Sequence, residues 1–337
     1  MSNGLLGSRG LLLLLAFGGS TWLSQSRSPV LGNGRGIDHL QVEVRDLGAT
    51  AEIYRDRLGF TVGTQGKIAS LGMANAPVRF KNKTYFELIS IYDRERAATN
   101  AADDMAFLDK HEGAIALGLE ISSADETAAY LRARGFEIVG PVGGTFTPEG
   151  VKETPPELWR DVLFKKPVVP GDTIFFAEYH HDAWRKLQEQ YPHLQDDPAK
   201  STHANGAQSI HAVWMSVKNL DEATKAYEAV GFLRGAKMTL PAIGAIGQEF
   251  QAGDGTILLV SPVTSTADGA AMKFLSDRGE SVMGVSIEVP SLEKTKSVLG
   301  VALHQNLKAY SGPYGNSVVV PGELAAGVWI EFFEKAK

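Results

Sequence analysis

A chain of 337 residues, 44% hydrophobic and 21% charged, has room for about two domains, each with its own core. A net charge of −6 with no long basic run excludes nucleic acid as the main partner and points to small molecules. The absence of cysteine excludes disulfides, thiolate metal sites and a Cys nucleophile, so any metal must be held by His, Asp or Glu. At the N-terminus Arg9 precedes an apolar run from Leu11 to Phe17 that breaks at Gly18-Gly19-Ser20 and turns polar up to Pro29. The run is short of the ~20 residues of a membrane span and reads as a secretory leader over residues 1–30. An exported protein is expected, periplasmic or secreted, with its mature start between Ser20 and Val30 and no membrane contact once mature. An uncleaved N-terminal anchor is the alternative.

From Gly36 onward one grammar recurs. Gly36 to Leu47 is an alternating strand with His39 near its start, then a helix, then Leu58-Gly59-Phe60; Ser209 to Leu220 repeats it with His211 and closes on Val230-Gly231-Phe232. Weaker copies start at Gly113, closing on Gly135-Phe136, and at Met283, where Leu299-Gly300-Val301 replaces the closing word. Each copy continues into three extended segments. The last of these are Thr84–Ile89, Thr173–Tyr179, Thr256–Val260 and Gly327–Phe333. One helix on a small sheet leaves an apolar face bare, so modules should pair. Pairing in chain order gives domains over 36–182 and 208–337, joined by a linker over 183–207. That linker opens with a short helix, Ala183 to Tyr191, and continues through polar turn formers, Asp196 to Thr202. The Gly-, Pro- and Thr-rich loop from Gly140 to Leu158 is long enough to cover a pocket.

A βαβββ module used in pairs, with His on a first strand and Glu on a last, resembles the vicinal oxygen chelate superfamily of glyoxalase I, extradiol dioxygenases and the fosfomycin and bleomycin resistance proteins. Within it, Asp38-His39, Gly72-Met73-Ala74-Asn75, Tyr85-Phe86-Glu87-Leu88 and His203-Ala204-Asn205-Gly206-Ala207 are similar to the hallmarks of a glyoxalase-like family. The resemblance implies an α+β fold of four βαβββ modules paired into two cups. It also implies a divalent metal where first and last strands converge. It leaves the reaction open.

Reading those converging positions gives His39, Glu87 and Glu178 as ligands in the first cup and only His211 and Glu331 in the second. The first cup is therefore the expected active site, with its three groups within roughly 5 Å of a common point, because first-shell bonds are about 2.0 to 2.2 Å. One imidazole and two carboxylates suit Zn²⁺, Mn²⁺, Fe²⁺ or Ni²⁺ and differ from the two-His, one-carboxylate set of an extradiol-type dioxygenase. The implied chemistry is that of an isomerase or lyase: the metal stabilises an enolate, and Glu87 or Glu178 moves the proton. Salt bridges to Arg79, Arg160, Lys165 or Lys166 are the structural alternative for both carboxylates. The rival function is metal-free sequestration, as in bleomycin-binding relatives, with an extradiol-type dioxygenase as a further alternative, and a homodimer is open. His180-His181 are expected to be exposed, His203 and Asn205 to brace the linker, and Asp38 to orient a strand end. Tyr310, Tyr314 and Asn316 lie on a loop that could line the second cup.

Overall fold

The computed structural model describes residues 27–148, 150–169, 174–195, 197–263, 269–304 and 306–335. Most of the expected leader lies outside the described residues. Of its last residues, Ser28 and Val30 are fully buried, and Ser28 Oγ donates to the Gln251 carbonyl at 2.6 Å. The folded body thus begins before residue 30. Among the described residues no helix is long and apolar enough to cross a membrane.

The first domain runs β1 (Gly36–Glu43), α1 (Leu47–Glu52), β2 (Gly66–Ile68), β3 (Met73–Arg79) and β4 (Tyr85–Ile91). After two short helices, α2 (Arg94–Asn100) and α3 (Ala102–Leu108), come β5 (Gly113–Glu120), α4 (Ala124–Ala133), β6 (Ile138–Gly144), β7 (Thr147–Pro148), β8 (Trp159–Phe164) and β9 (Ile174–Tyr179). The linker carries α5 (His181–Gln190), with His181 exposed on its first turn. The second domain runs β10 (Ser209–Ser216), α6 (Leu220–Val230), β11 (Leu233–Leu240), β12 (Ala245–Ala252), β13 (Gly255–Pro262) and α7 (Ala270–Arg278). It ends with β14 (Ser281–Glu288), α8 (Leu292–Leu303), β15 (Tyr310–Ser311), β16 (Gly315–Val320) and β17 (Trp329–Lys335).

The repeated closing word is a helix terminator. Gly59, Gly135 and Gly231 sit at φ 73°, 85° and 108°, a left-handed backbone that glycine adopts without a Cβ clash, and the Phe that follows turns back onto the core. The fourth module lacks the word and ends instead on His304 at φ 52°.

Each domain is one curled mixed sheet, ordered β6-β8-β9-β5-β1-β4-β3-β2-β7 and β11-β12-β13-β10-β14-β17-β16-β15. The modules meet through antiparallel first strands, β1 on β5 and β10 on β14, and each first strand runs parallel to its own module's last. Helices α1, α4, α6 and α8 cover the outer faces and pack into one continuous core spanning both domains, where Phe60 stacks on Phe332 at 5.9 Å between ring centres. The linker is pinned there too. His203 Nδ1 accepts from Thr61 N at 2.9 Å and its Nε2 donates to the Arg79 carbonyl at 3.0 Å, while burial pushes its pKa down to about 4 and keeps it neutral. Asn205 donates to the Leu58 carbonyl at 2.7 Å. In the first sheet the long loop after β6 crosses the mouth of the cup. Its β7 pairs with β2 on the opposite edge, and Phe146 packs between Trp184 and the cluster of Ile68, Met73 and Ile89.

Candidate active site

Strand alternation places His39, Gln41 and Glu43 of β1 on the concave face beside Tyr85, Glu87 and Ile89 of β4, with His39 opposite Tyr85 and Gln41 opposite Glu87. Asp38 and His39 are sequence neighbours and in a regular strand would face opposite ways. Here the β1–β5 ladder slips by one residue between Ile37 and His39, and this bulge lets both side chains meet. His39 Nδ1 donates to Asp38 Oδ2 at 2.7 Å, which turns Nε2 toward Glu87 Oε2, 3.4 Å away. The imidazole lies against Tyr85, with ring centres 4.7 Å apart, and edge-on to Phe175. It occupies the space above Gly118, where a Cβ would come within 2.6 Å of His39 Cε1.

Both partners of the imidazole are themselves held. Asp38 accepts from Tyr179 OH at 2.6 Å and is paired with Arg35, whose Nη2 also donates to Glu120 at 2.6 Å. Glu87 Oε1 accepts from the Asn75 amide at 2.6 Å, and Oε2 receives a longer contact from Gln41 at 3.4 Å. His39 and Glu87 are only 4% and 7% exposed. Burial disfavours a charged imidazole, but the hydrogen bond to Asp38 and the charges of Asp38, Glu87 and Asp161 outweigh it, so the His39 pKa is raised. Asp38 is lowered despite its burial, chiefly by its bond to His39. Both shifts favour the imidazolium–carboxylate form of the pair.

Asp161, on β8, was not singled out from the sequence. It projects onto the same concave face opposite Ala177, with Oδ2 accepting from Trp159 Nε1 at 2.7 Å and Oδ1 buried without a hydrogen-bond partner. Burial pushes its pKa up to about 7, against the Trp159 bond and the His39 charge that lower it. Asp161 thus holds its proton to higher pH than an ordinary aspartate. Glu43, further along β1, is also pushed up, to about 9, by burial and by Asp104 of α3. The signal in the sequence was the alternation Trp159, Asp161, Leu163 on a strand otherwise apolar at its inward positions.

The expected ligand set is not assembled. His39 and Glu87 meet as expected, but Glu178 lies on the opposite face of β9: its Oε2 accepts from Ala124 N, the first residue of α4, at 2.8 Å, and Arg160 approaches at 3.8 Å. Tyr179, one residue on, takes the inward position. Among the described residues no three His, Asp or Glu side chains stand together as a metal set. In the second cup His211 occupies the bulge position of Asp38, since Ile210 and Ala212 flank the same ladder slip, and it packs edge-on against Tyr314. Glu331 is fully buried in a network of its own, accepting from Ser286 Oγ at 2.5 Å and Tyr310 OH at 2.6 Å, with its pKa raised by burial. His211 and Glu331 share no contact there.

Among solved structures the chain resembles 4-hydroxymandelate synthase from Streptomyces coelicolor, at TM-score 0.59 and 13% identity over 90% of this chain and 93% of that one. A hypothetical protein from Staphylococcus aureus aligns at TM-score 0.56 and 11% identity over 88% and 98%. Methylmalonyl-CoA epimerase from Mycobacterium tuberculosis aligns at 0.35 and 20% over 39% and 91%. No curated protein matches the sequence. The model of the glyoxalase-like domain matches residues 37–231, more than half of the chain and all of the first cup. With two cups of paired βαβββ modules, the chain belongs to the glyoxalase-like domain family of the vicinal oxygen chelate superfamily.

Proposed function

We propose that the first cup is the active site of a small-molecule enzyme that removes and returns a proton next to a carbonyl group, an isomerase or lyase of glyoxalase-like type. The metal-dependent form of this chemistry needs a third protein donor beside His39 Nε2 and Glu87 Oε2. Glu178 faces away and no other His, Asp or Glu among the described residues completes the set. The donors present do not fit a three-ligand ion, and the steps below use the chain's own groups.

Glu87, aimed by the Asn75 and Gln41 amides, is the base. Its carboxylate takes the α-proton, the C–H electron pair moves into the new C=C bond, and negative charge develops on the carbonyl oxygen. The His39 imidazolium, held by Asp38, and the neutral Asp161 carboxyl stabilise that oxygen and can protonate it. Glu87 is placed as the base by its amide partners, and Asp161, whose pKa burial pushes up, is placed as the acid. The observation that carries this reading is the Asp38–His39–Glu87 alignment on one concave face.

The test is exchange of the α-protons of 2-hydroxyacetophenone in D2O, followed by proton NMR, with protein dialysed against a chelator. Exchange should be catalysed by the wild type and lost in Glu87→Gln. Activity that disappears with the chelator and returns with one divalent ion would overturn the metal-free mechanism. Tight binding without exchange would instead favour sequestration.

A further inference from the structure

We infer that the exposed apolar strip formed by Val139, Val142 and Leu163 on the concave edge of the first cup holds the apolar body of the substrate, which makes the substrate an uncharged carbonyl compound carrying an aryl or branched alkyl group. This rests on the proton-transfer reading for the reacting end and adds what binds the other end.

Val139, Val142 and Leu163 are 45%, 47% and 38% exposed, three of the five large hydrophobic side chains exposed in the described fold. Their placement is not scattered. Val142 is the β6 partner of Asp161, Val139 is the partner of Leu163, and Leu163 is the partner of Phe175, whose ring lies 5.3 Å from that of His39. Partners across an antiparallel ladder share a face. The strip therefore runs from the edge of the sheet directly to the neutral acid and the imidazolium. Elsewhere on this concave face the apolar residues are covered, Met73 and Ile89 by α2 and the Phe146 strap. At the register position matching Leu163, the second cup has Val319, which is packed into its apolar cluster. One side of the first cup is thus apolar, in line with reacting groups, and left to solvent.

Charge sets the rest of the substrate. The imidazolium already faces Asp38 and Glu87, and Arg35 is committed to Asp38 and Glu120, so a carboxylate or phosphate near the reacting carbon would meet two negative groups and cations already paired. An uncharged carbonyl meets neither difficulty.

The experiment compares hydroxyacetone with 2-hydroxyacetophenone, which differ by methyl against phenyl on the carbonyl. Binding is read by calorimetry and turnover by deuterium exchange. The phenyl probe should bind roughly ten- to a hundredfold more tightly, the range expected for burying a ring on an apolar surface. Leu163→Asp and, independently, Val139→Asp should bring that preference close to one, whereas Val301→Asp, on an exposed position of α8, should leave it intact. Preferential binding that collapses in both variants supports the strip even if neither probe exchanges, in which case only the proton-transfer reading falls. Exchange of both probes with equal affinity, or a preference that survives both variants, overturns the strip and leaves the chemistry standing. A change in molar mass by light scattering in Leu163→Asp and Val139→Asp, with the preference unaltered, would assign the strip to contact between copies and also overturn it.

Discussion

The two cups share a backbone and differ in what fills them. Matched through their ladders, His39 corresponds to Ala212, Gln41 to Trp214, Glu87 to Leu258 and Gly118 to Ser286. The three groups given acid and base roles in the first cup, His39, Glu87 and Asp161, are matched in the second by Ala212, Leu258 and Ser317. There Ala212, Trp214, Leu240, Ile243, Leu258, Phe274 and Met283 form a dry cluster, closed by α7 and by Trp214 Nε1 donating to Ser286 Oγ at 2.9 Å. The lesson is a division of labour. A concave sheet face must be either filled or functional, because buried carboxyls without partners are costly and are kept where they do chemistry.

The largest expected effect breaks the first cup. Glu87→Gln removes the base at nearly constant volume and keeps an acceptor for Asn75, so exchange should fall by about 10³, within the range for a lost general base, while the melting temperature moves little. A mutant that keeps most of its activity would sink the role given to Glu87. The second cup should answer in stability instead. Trp214→Ala empties its centre and should cost about 3–5 kcal/mol in chemical denaturation, with the first-cup exchange rate at permissive temperature unchanged. Loss of activity in the folded Trp214→Ala protein would show that the second cup takes part in the chemistry.

A smaller effect separates the two carboxyls of the first cup. Asp161 carries its proton below about pH 7 and loses it above, so the donor to the developing oxyanion disappears as pH rises. The rate should fall about tenfold per pH unit above that point. Asp161→Asn keeps an N–H donor that does not titrate. Its profile should be flat through pH 7 and lower in absolute rate. A wild-type profile that instead rises through pH 7 would reverse the assignment of acid and base.

Much of the architecture could be read because glycine at helix ends and alternation along strands are local signals: the four modules and their pairing follow from them, while the cups and the roles of Asp38-His39 and Glu87 came from the family resemblance. The site was legible only in part, and the misses share a cause. Reading Glu178 as a converging last-strand position put it inside the cup, and a shift of one residue exchanges the faces of a strand. The same slip equated His211 with His39. The bulge at residue 211 makes it the counterpart of Asp38, and a bulge is set by the pairing of two distant strands, not by local sequence. Asp161 was missed for another reason. No motif marks it, and its importance comes from burial and from the action of its charge on His39 within the same cup. The short helices α2, α3 and α7, which close the ends of the cups, likewise carry no repeat signal.

The smallest effect tests the corrected register itself. Ladder matching pairs Glu178 with Glu334 across the domains, since Gly118 aligns with Phe175 as Ser286 does with Glu331. The structure bears the same relation at both: Glu178 accepts from Ala124 N, and Glu334 accepts from Leu292 N, each at 2.8 Å and each at the first residue of the helix that follows its module's first strand. A carboxylate there satisfies an amide that has no helical partner and faces the positive end of the helix dipole. Glu178→Gln and Glu334→Gln should therefore each cost about 1 kcal/mol of stability, by similar amounts, with the loss for both reduced at high salt. Neither should change the exchange rate of the folded protein. If Glu178→Gln were to slow exchange a hundredfold while Glu334→Gln did not, Glu178 would belong to the chemistry after all, and the equivalence drawn between the two carboxylates would fail.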